Sequence, residues 1–328
     1  MYSFLSYIRC LFGNTKDVPM NHLRHLRYLD EVARCGSIRQ AAERLHVAAS
    51  AVNRRLLDIE EELGTPIFER LPRGMRLTAA GELFLQYIRE RGAALEQVRS
   101  AIEDLKGLRR GRIRLIASQA TAPVFLPAAL ASFRRRHPLV DFEVQVGDRL
   151  RAIAALRSYE SDLALTFGLD ADPDIEALAS FEQRLMLLMH RDHPLARAGG
   201  PVRLRQCVDY PIVLANPDVG GRQLLDRFLT RSSLRLSPVI ESNSFEFLRG
   251  YLLHDQAITF QIALGAVSDG GQLVARDIED RGFPRGQMVL AHLRERSMPV
   301  IATALAEHLR ERLTAPPPGE QQHDPADI

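Results

Sequence analysis

The apolar side chains that follow residue 20 recur every three or four positions, which is the period of an amphipathic helix. The pattern predicts a first helix over residues 23–35, ended by Gly36, and Ser37 stands where it can cap a second helix. The apolar faces of the second and third predicted helices are Ile38, Ala41, Ala42 and Leu45, and Val52, Leu56, Ile59 and Leu63. We expect three such short helices to share one small core.

The second and third predicted helices are joined by very little chain. Ala41 and Ala42 are small where the two helices would cross, so the backbones can approach closely at a steep angle, as in a helix-turn-helix. With Val52 and Leu56 turned inward, the opposite side of the third helix faces outward. We expect this side to enter a DNA major groove, with candidate contacts at Ala49, Ser50, Asn53, Arg54 and Arg55.

A short basic hairpin is predicted after the third helix. Residues 67–69 and 75–77 are brief extended runs on either side of the turn sequence LPRG. Arg70, Arg73 and Arg76 lie on this hairpin, where they would contact phosphates or the minor groove. The alternative for all of these arginines is an ordinary solvated surface position.

A long helix is predicted after Thr78, whose hydroxyl can cap its first turn. The apolar residues of this helix fall near heptad spacing, with an interruption at Arg91. They are Phe84, Ile88, Leu95, Val98, Ile102 and Leu105. We interpret them as a seam that pairs two copies of the chain, which predicts an interrupted palindrome as the DNA site.

Beyond GLRRGR the pattern changes to strands that alternate with helices, beginning with IRLIA, VDFEVQVG and DLALTFG. This alternation predicts a parallel sheet with crossover helices. Polar side chains follow several strands, at the edge where open α/β sheets bind ligands. These are Ser118, Gln119, Thr121, Thr166, Asn216 and Gln261. Each one alone could be a cap or turn residue, but together with a helix N-terminus they suit a small anion such as a carboxylate.

Composition narrows the class of protein. No apolar run reaches the roughly 18 residues of a membrane-spanning helix, and the three widely separated cysteines indicate free thiols, so we expect a cytoplasmic protein. His190 and His193 lack a third ligand with metal-site spacing, so we expect a loop role and no metal. The glycines of PDVGGRQ lack the spacing and the lysine of a phosphate-binding loop, and we expect no cofactor.

The two ends of the chain fall outside the regular pattern. Residues 1–19 make a poor signal peptide, and we interpret them as the product of an upstream start codon, with Met20 as the natural start and a functional N-terminal arm as the alternative. Residues 315–328 are rich in proline and polar side chains, which predicts a disordered tail.

The stretch LRYLDEVARCGSIRQAAERLHVAASAVNRRLLDIEEELGTPIFERLPRGMRLTAAGE resembles the signature of the LysR-type transcriptional regulators from end to end. The resemblance is looser in the C-terminal region. It implies a winged helix-turn-helix, a linker helix that dimerises, and an effector-binding domain like a periplasmic binding protein with two α/β subdomains. The implied boundaries are 20–78, 79–108 and 109–314, with one subdomain at 109–166 and 266–314 and the other at 167–265.

Three positions of the third helix depart from the family's pattern. Ala48 stands where Ser or Thr is frequent, which removes an N-cap oxygen. Ala49 replaces a frequent Gln, and Asn53 replaces a frequent Ser. Base recognition must then depend on Ser50, Asn53 and Arg54, or on a thymine methyl group against Ala49. The target DNA sequence therefore cannot be transferred from relatives.

The sequence thus predicts an all-α winged helix-turn-helix followed by an α/β domain, in a DNA-binding transcriptional regulator that senses a small molecule. The expected partners are double-stranded DNA, an effector, further copies in a homodimer or homotetramer, and RNA polymerase as a candidate. A solute-binding protein with no role in transcription is the main alternative, opposed by the helix-turn-helix. An enzyme is a third, opposed by the lack of a nucleophile with a base and of a cofactor motif.

Overall fold

The structure, a computed structural model, describes residues 21–72, 74–105, 110–169, 172–266 and 271–314, with the backbone alone at 21–25, 100 and 103–105. The predicted extension with Met20, Arg73 and the predicted tail lie outside the described residues. The chain forms two compact units, Met1–Leu95 and Glu96–Ile328. Among the described helices, none combines the length and the apolar character that crossing a membrane requires.

The first unit contains the three helices and the hairpin that the pattern predicts, followed by the start of a long helix. These elements are α1 (Asn21–Cys35), α2 (Ile38–Leu45), α3 (Ala49–Leu63), β1 (Phe68–Leu71), β2 (Gly74–Leu77) and α4 (Ala79–Leu105). Ser37 caps α2 by accepting a hydrogen bond from the N–H of Gln40. Thr78 accepts one from the N–H of Gly81 in the first turn of α4. Both predicted caps are confirmed.

The core of the first unit lies where α2 and α3 cross. Ala41 and Ala42 are buried there, together with Leu29, Val52 and Leu56. Because the two alanines are small, the backbones of the helices approach closely, and each helix buries most of its apolar face against the others. The exception on α3 is Leu63 at the end of the helix, which is 43% exposed. The shared core predicted from the periodicity is confirmed.

The hairpin is anchored to the helices at both of its strands. The carboxylate of Glu60 on α3 accepts hydrogen bonds from the N–H groups of Ile67, at 2.8 Å, and Phe68, at 3.1 Å. On the other strand, the N–H of Met75 donates to the carbonyl oxygen of Gly36 at 2.8 Å. Strands β1 and β2 pair antiparallel. The wing is therefore held in a fixed position beside α3.

The second unit alternates strands and helices, as predicted. Its strands are β3 (Gly111–Ala117), β4 (Val140–Val146), β5 (Leu163–Phe167), β6 (Ile175–Gln183), β7 (Leu185–His190), β8 (Ile212–Ala215), β9 (Pro238–Ser242), β10 (Ile258–Ile262), β11 (Leu273–Asp277) and β12 (Gly286–Leu293). Its described helices are α5 (Phe125–Arg136), α6 (Arg149–Arg157), α7 (Pro194–Ala198), α8 (Gly220–Thr230), α9 (Phe245–Tyr251) and α10 (Val300–Thr314).

The strands form two five-stranded sheets, each the centre of a lobe. The first lobe has the order β4-β3-β5-β12-β6, and the second has β11-β7-β10-β8-β9. Strands β3, β4 and β5 are parallel, but β12 runs antiparallel to both β5 and β6. In the second lobe β7 runs antiparallel to β10 and β11. The prediction of a parallel sheet holds for β3, β4 and β5 and for β8 with β9 and β10, but each sheet also takes in strands that run in the opposite direction, so both sheets are mixed.

The chain crosses between the lobes at different points from those that we predicted. It leaves the first sheet after Gln183 and returns to it at Gly286. The predicted boundaries lay between residues 166 and 167 and between residues 265 and 266. They placed β6 in the second lobe and β11 in the first, whereas β6 belongs to the first sheet and β11 to the second. Both strands lie at sheet edges, and their sheet membership depends on pairing with β12 and β7, which local periodicity does not encode.

A buried ion pair holds the end of the first sheet. The carboxylate of Asp162 accepts hydrogen bonds from the backbone N–H and the guanidinium of Arg114, at 2.8 and 2.9 Å, and it also pairs with Arg296. The side chains of Asp162 and Arg296 are only 2% and 7% exposed. Burial lowers the pKa of Arg296, an effect that the charge of Asp162 opposes. The guanidinium of Arg296 also lies 5.2 Å from the centre of the Tyr159 ring.

Removal of the Asp162 carboxylate is expected to destabilise the second unit strongly. Asp162→Ala leaves a buried guanidinium without its counter-ion, which costs about 3 to 5 kcal/mol of unfolding free energy. The control is Glu307→Ala, because Glu307 pairs with Arg310 on the surface and such pairs contribute about 0 to 1 kcal/mol. Urea unfolding followed by circular dichroism compares the two variants, and equal losses would contradict the assignment.

Candidate functional site

Helix α3 presents an exposed face opposite the buried Val52 and Leu56. The side chains of Ser50 and Arg54 are exposed on this face, and that of Asn53, at its edge, is half-buried. The N-cap residue Ala48 makes no side-chain hydrogen bond to the first turn. The N–H groups there are therefore not satisfied by a side-chain cap, and a helix N-terminus of this kind accommodates a phosphate group.

The two arginines of this face differ in their partners. The guanidinium of Arg55 pairs with Asp58 on the same helix, with a distance of 2.9 Å from Nη1 to Oδ2. Arg54 is exposed and makes no ion pair or hydrogen bond within the described part of the chain. The charge of Arg54 is therefore free to act on a bound molecule, whereas that of Arg55 is partly neutralised.

The arginines of the wing also have partners within the first unit. Nη2 of Arg70 donates a hydrogen bond to Oδ1 of Asn53 at 2.8 Å, which links the wing to α3. Arg76 pairs with Glu69 across the hairpin, at 2.6 Å from Nη2 to Oε2. The interaction with Glu69 raises the pKa of Arg76. A partner carboxylate on the same face makes Arg76 a weaker phosphate ligand than its exposure indicates.

The structure divides the seam that we predicted on α4. Ile88 is buried in the core of the first unit, so its side chain is not available to a second copy. Phe84 packs against that core but is only partly buried, Leu95 is half-buried, and the side chain of Leu105 lies outside the described residues. Heptad spacing at Ile88 therefore serves contacts within the same chain.

The exposed apolar side chains of α4 form a different stripe, which we call the linker stripe. Its large members are Leu83, 72% exposed, Tyr87, 49%, Val98, 55%, and Ile102, 45%. Exposed Ala94 lies between them, so that the stripe advances by four, seven, four and four residues. Helical spacing places these residues along one side of α4. Only Val98 and Ile102 belonged to the predicted seam.

A cleft lies between the two lobes of the second unit and has a volume of about 60 Å³. Its lining comes from the carboxyl ends of β3, β4 and β5 on one side and from α8, α9 and β10 on the other. The lining residues are Ser118, Gln119, Ala120, Gly147, Asp148, Arg149, Thr166, Phe167, Val219, Gly220, Gly221, Phe245 and Ile262. At about 10 to 15 Å³ for each water-sized occupant, this volume holds a few waters or one small polar group, and the rest of the cleft opens to solvent.

Three of the six predicted effector residues line this cleft, namely Ser118, Gln119 and Thr166. Thr166 is buried within β5, opposite Val289 of β12. The hydroxyl of Ser118 is buried and has no hydrogen-bond partner among the described residues. A buried hydroxyl in this state is a group that a polar ligand could satisfy.

The other three predicted residues are not among the lining residues of the cleft. Thr121 is fully buried, and its hydroxyl donates to the carbonyl oxygen of Ser118 at 2.9 Å, which stabilises the turn after β3. The backbone N–H of Asn216 donates to the carbonyl oxygen of Ser242 within the second lobe. Gln261 lies fully buried inside β10. The sequence places these residues near strand ends, but this position does not determine where each side chain points.

Gln119 joins the two lobes through its side-chain amide. Its Nε2 donates a hydrogen bond to the carbonyl oxygen of Asn243, and its Oε1 accepts one from the N–H of Phe245 at 2.9 Å. Because both ends of the amide bind the backbone of the second lobe, Gln119 acts as a connection across the cleft. It is less available to a ligand than the sequence predicted.

Arg149 is a cleft residue that the sequence analysis missed. It is the first residue of α6, and it lines the cleft without an ion pair or hydrogen bond in the described part of the chain. The carboxylate of the preceding Asp148 accepts the N–H of Arg151 as the N-cap of this helix. Helix α8 also begins at the cleft, and its N-cap residue Val219 supplies no side-chain acceptor. The rule that found Ser118 applies equally to GDR after β4 and would have found Arg149.

Two family models match the chain. The model for the bacterial regulatory helix-turn-helix proteins of the lysR family matches residues 23–82, and the model for the LysR substrate binding domain matches residues 106–314. This chain belongs to the LysR family. A RuBisCO operon transcriptional regulator of Allochromatium vinosum is 30% identical over 294 residues, which cover 87% of this chain and 94% of that relative. The transcriptional activator CmpR of Synechocystis is 25% identical, with coverages of 85% and 91%.

Solved structures of LysR-family proteins share the fold. A full-length OxyR variant of Pseudomonas aeruginosa has a TM-score of 0.65 at 21% identity and covers 88% of this chain, and 94% of the OxyR chain is covered. CbnR in complex with its target DNA has a TM-score of 0.61 at 21% identity, with coverages of 88% and 99%. At these identities the likeness establishes the fold of the LysR-family chain and no more.

Membership of the LysR family decides between the three functional classes considered from the sequence. Proteins of this family are DNA-binding transcriptional regulators, so the solute-binding protein and the enzyme are both excluded. Within the described residues no group of three or more His, Cys, Asp or Glu side chains could hold a metal ion. His190 ends β7, and His193 caps α7 by accepting the N–H of Leu195, with its pKa lowered by burial. Burial raises the pKa of the Cys207 thiol to about 12.

Proposed function

We propose that this LysR-family regulator binds an interrupted palindromic DNA site as a homodimer and responds to a small anion, most simply a carboxylate, in the cleft of its second unit. The observation that carries the effector proposal is Arg149, a cation that lines the cleft with no carboxylate partner among the described residues. Binding across both lobes would change their relative orientation, provided that the ligand prefers one arrangement.

The DNA-reading part of the proposal depends on Arg54 and Asn53. A free guanidinium on the exposed face of α3 suits the O6 and N7 acceptors of guanine. Nη2 of Arg70 already donates to the Oδ1 of Asn53, which leaves the second lone pair of that oxygen and the N–H donors of the amide for a base. Asn53 can therefore still pair with adenine, which needs one acceptor and one donor, or donate to acceptors of guanine or thymine.

Arg54→Ala is expected to lose about 1 to 3 kcal/mol of discrimination between the natural site and sites with single base changes. Arg55→Ala is the matched control, since Asp58 already neutralises much of its charge. Fluorescence anisotropy at fixed salt concentration gives both affinities. If Arg54→Ala keeps the wild-type affinity and base preference, another element reads the DNA.

The dimer proposal depends on the linker stripe. Leu83, Tyr87, Val98 and Ile102 expose apolar surface along one side of a helix of 27 residues, and pairing with the same helix of a second copy would bury it. Such a pairing is isologous, since both copies contribute the same residues. This two-fold symmetry would impose a palindrome on the DNA site.

Tyr87→Asp combined with Val98→Asp is expected to give monomers. Each copy would bring two carboxylates to the interface, where pairing of the helices would bury their negative charges close together. DNA affinity should fall greatly as the two half-sites lose their linkage. Val300→Asp is the control, as Val300 is similarly exposed but lies on α10. Sedimentation velocity measures the oligomer, and an unchanged dimer in the double variant would exclude the linker stripe as the interface.

The anion proposal combines three groups at the cleft. Arg149 supplies a full positive charge, the start of α8 supplies N–H groups without a side-chain cap, and Ser118 supplies an unsatisfied hydroxyl. Guanidinium, N–H and hydroxyl donors all favour an acceptor with negative charge. The apolar side chains of Phe245 and Ile262 line the same cleft and suit the hydrocarbon part of a carboxylate.

Arg149→Ala is expected to weaken binding of the responsive carboxylate by about tenfold or more, because hydrogen bonds to a charged group contribute about 1.5 to 3 kcal/mol. Arg149→Lys should retain part of the affinity, and Arg205→Ala, at an exposed position elsewhere, should retain all of it. Isothermal titration with a panel of metabolic carboxylates measures binding, and a reporter assay measures the response. Binding of neutral compounds alone, or full affinity in Arg149→Ala, would contradict the proposed anion site.

The relatives indicate which DNA to test first. Several of them are named as RuBisCO operon regulators, including those of Allochromatium vinosum and Acidithiobacillus ferrooxidans. We infer that the first candidates are the DNA upstream of this chain's own gene and, where the genome has one, the promoter of its RuBisCO operon. If gel-shift assays show binding to other DNA but to neither of these regions, this choice of target DNA is wrong.

A further inference from the structure

Phe167 extends from the first lobe to a helix of the second. It is the last residue of β5 and pairs with Met288 of β12. A Cβ atom added to Gly286, the first residue of β12, would overlap the Phe167 ring, with Cε1 only 2.6 Å away. A Cβ atom added to Gly220, the first residue of α8, would lie 3.0 Å from Cγ of the same ring. The ring therefore rests on bare backbone from both lobes.

The two glycines are explained by space rather than by backbone conformation. Neither Gly220 nor Gly286 has a φ in the left-handed region that favours glycine. The Cβ atom of any other residue at these positions would clash with the Phe167 side chain. This accounts for the first glycine of PDVGGRQ, which does not have the spacing of a phosphate-binding loop.

The position of Phe167 limits the space in the cleft. Its side chain lines the cleft and packs against the backbone at Gly220 and at Gly286, so the ring cannot move toward either glycine without displacing backbone. Close packing against backbone leaves the ring little freedom in those two directions. The ring therefore limits how far a ligand can extend on this side of the cleft.

We propose that Phe167 is the residue that selects the effector by size. This inference rests on the proposed function and deepens it, because it names the side chain that limits how large a carboxylate the cleft accepts. Bulkier acids would have to occupy the space of the ring. The competing explanation is that Phe167 only holds the lobes together, in which case its removal lowers stability without changing the order in which acids bind.

The test compares the order of affinities in full-length variants. Wild-type protein, Phe167→Ala and Phe167→Leu are titrated calorimetrically with acetate, malonate, citrate and benzoate. We expect the ratio of affinities to shift toward the larger acids by roughly tenfold or more in Phe167→Ala, and by less in Phe167→Leu. Gly220→Ala should act in the opposite direction, since its methyl group forces the ring into the cleft. Phe247→Ala is the control, as Phe247 is an exposed phenylalanine on α9.

A second measurement does not depend on the effector being an anion. Truncation of Phe167 should leave an apolar space beside Gly220 and Gly286, and apolar cavities bind benzene. Benzene should therefore raise the melting temperature of Phe167→Ala but not that of the wild type or of Phe247→Ala. If no protein binds any carboxylate, the anion proposal fails, and the benzene response then shows whether removal of Phe167 enlarges the cleft, which selection by size requires. An unchanged order of acids in both Phe167 variants, or no benzene response in that case, would overturn the inference.

Discussion

Strand β12 is buried on both faces and paired on both edges, so each of its backbone polar groups must find its partner inside the protein. Met288, Val289, Leu290 and Ala291 have no exposed surface, and the strand pairs antiparallel with β5 and β6 at once. Because β12 arrives from the second lobe, its pairing fixes where the lobes meet. The carboxyl ends of β3, β4 and β5 then line one side of the cleft, and the start of α8 lines the other.

The arginines of both units differ in whether a carboxylate of the protein lies beside them. A carboxylate partner weakens the attraction of an arginine for a bound anion. Arg296 is committed to Asp162 in the core, and Arg76 is committed to Glu69 on the wing. Arg54 and Arg149 have no such partner among the described residues, and they lie on the exposed face of α3 and in the cleft. These two arginines lie on the surfaces proposed to bind DNA and effector, whereas other arginines without a carboxylate partner in the described part of the chain, such as Arg205, lie on the general surface.

By itself the sequence determined the local structure and the family. Helix periodicity gave α1 to α3, Ser37 and Thr78 marked the first residues before α2 and α4, and alternating strands and helices indicated the α/β unit. These features depend on residues within a few positions of one another, so the pattern of side chains encodes them directly. The rule that ligands bind at strand ends brought Ser118 and Thr166 to the cleft for the same reason.

Only the tertiary structure decided which partner each side chain meets. Heptad spacing on α4 could not tell that Phe84 and Ile88 pack inside their own unit, because a helix face looks the same whether a second copy or the same chain covers it. The direction of β12 likewise depends on pairing between strands that are more than 100 residues apart. The space that confines Phe167 is made by Gly220 and Gly286, which come from distant parts of the chain. Contacts between residues so far apart leave no periodic trace in the sequence, and they exist only after the chain has folded.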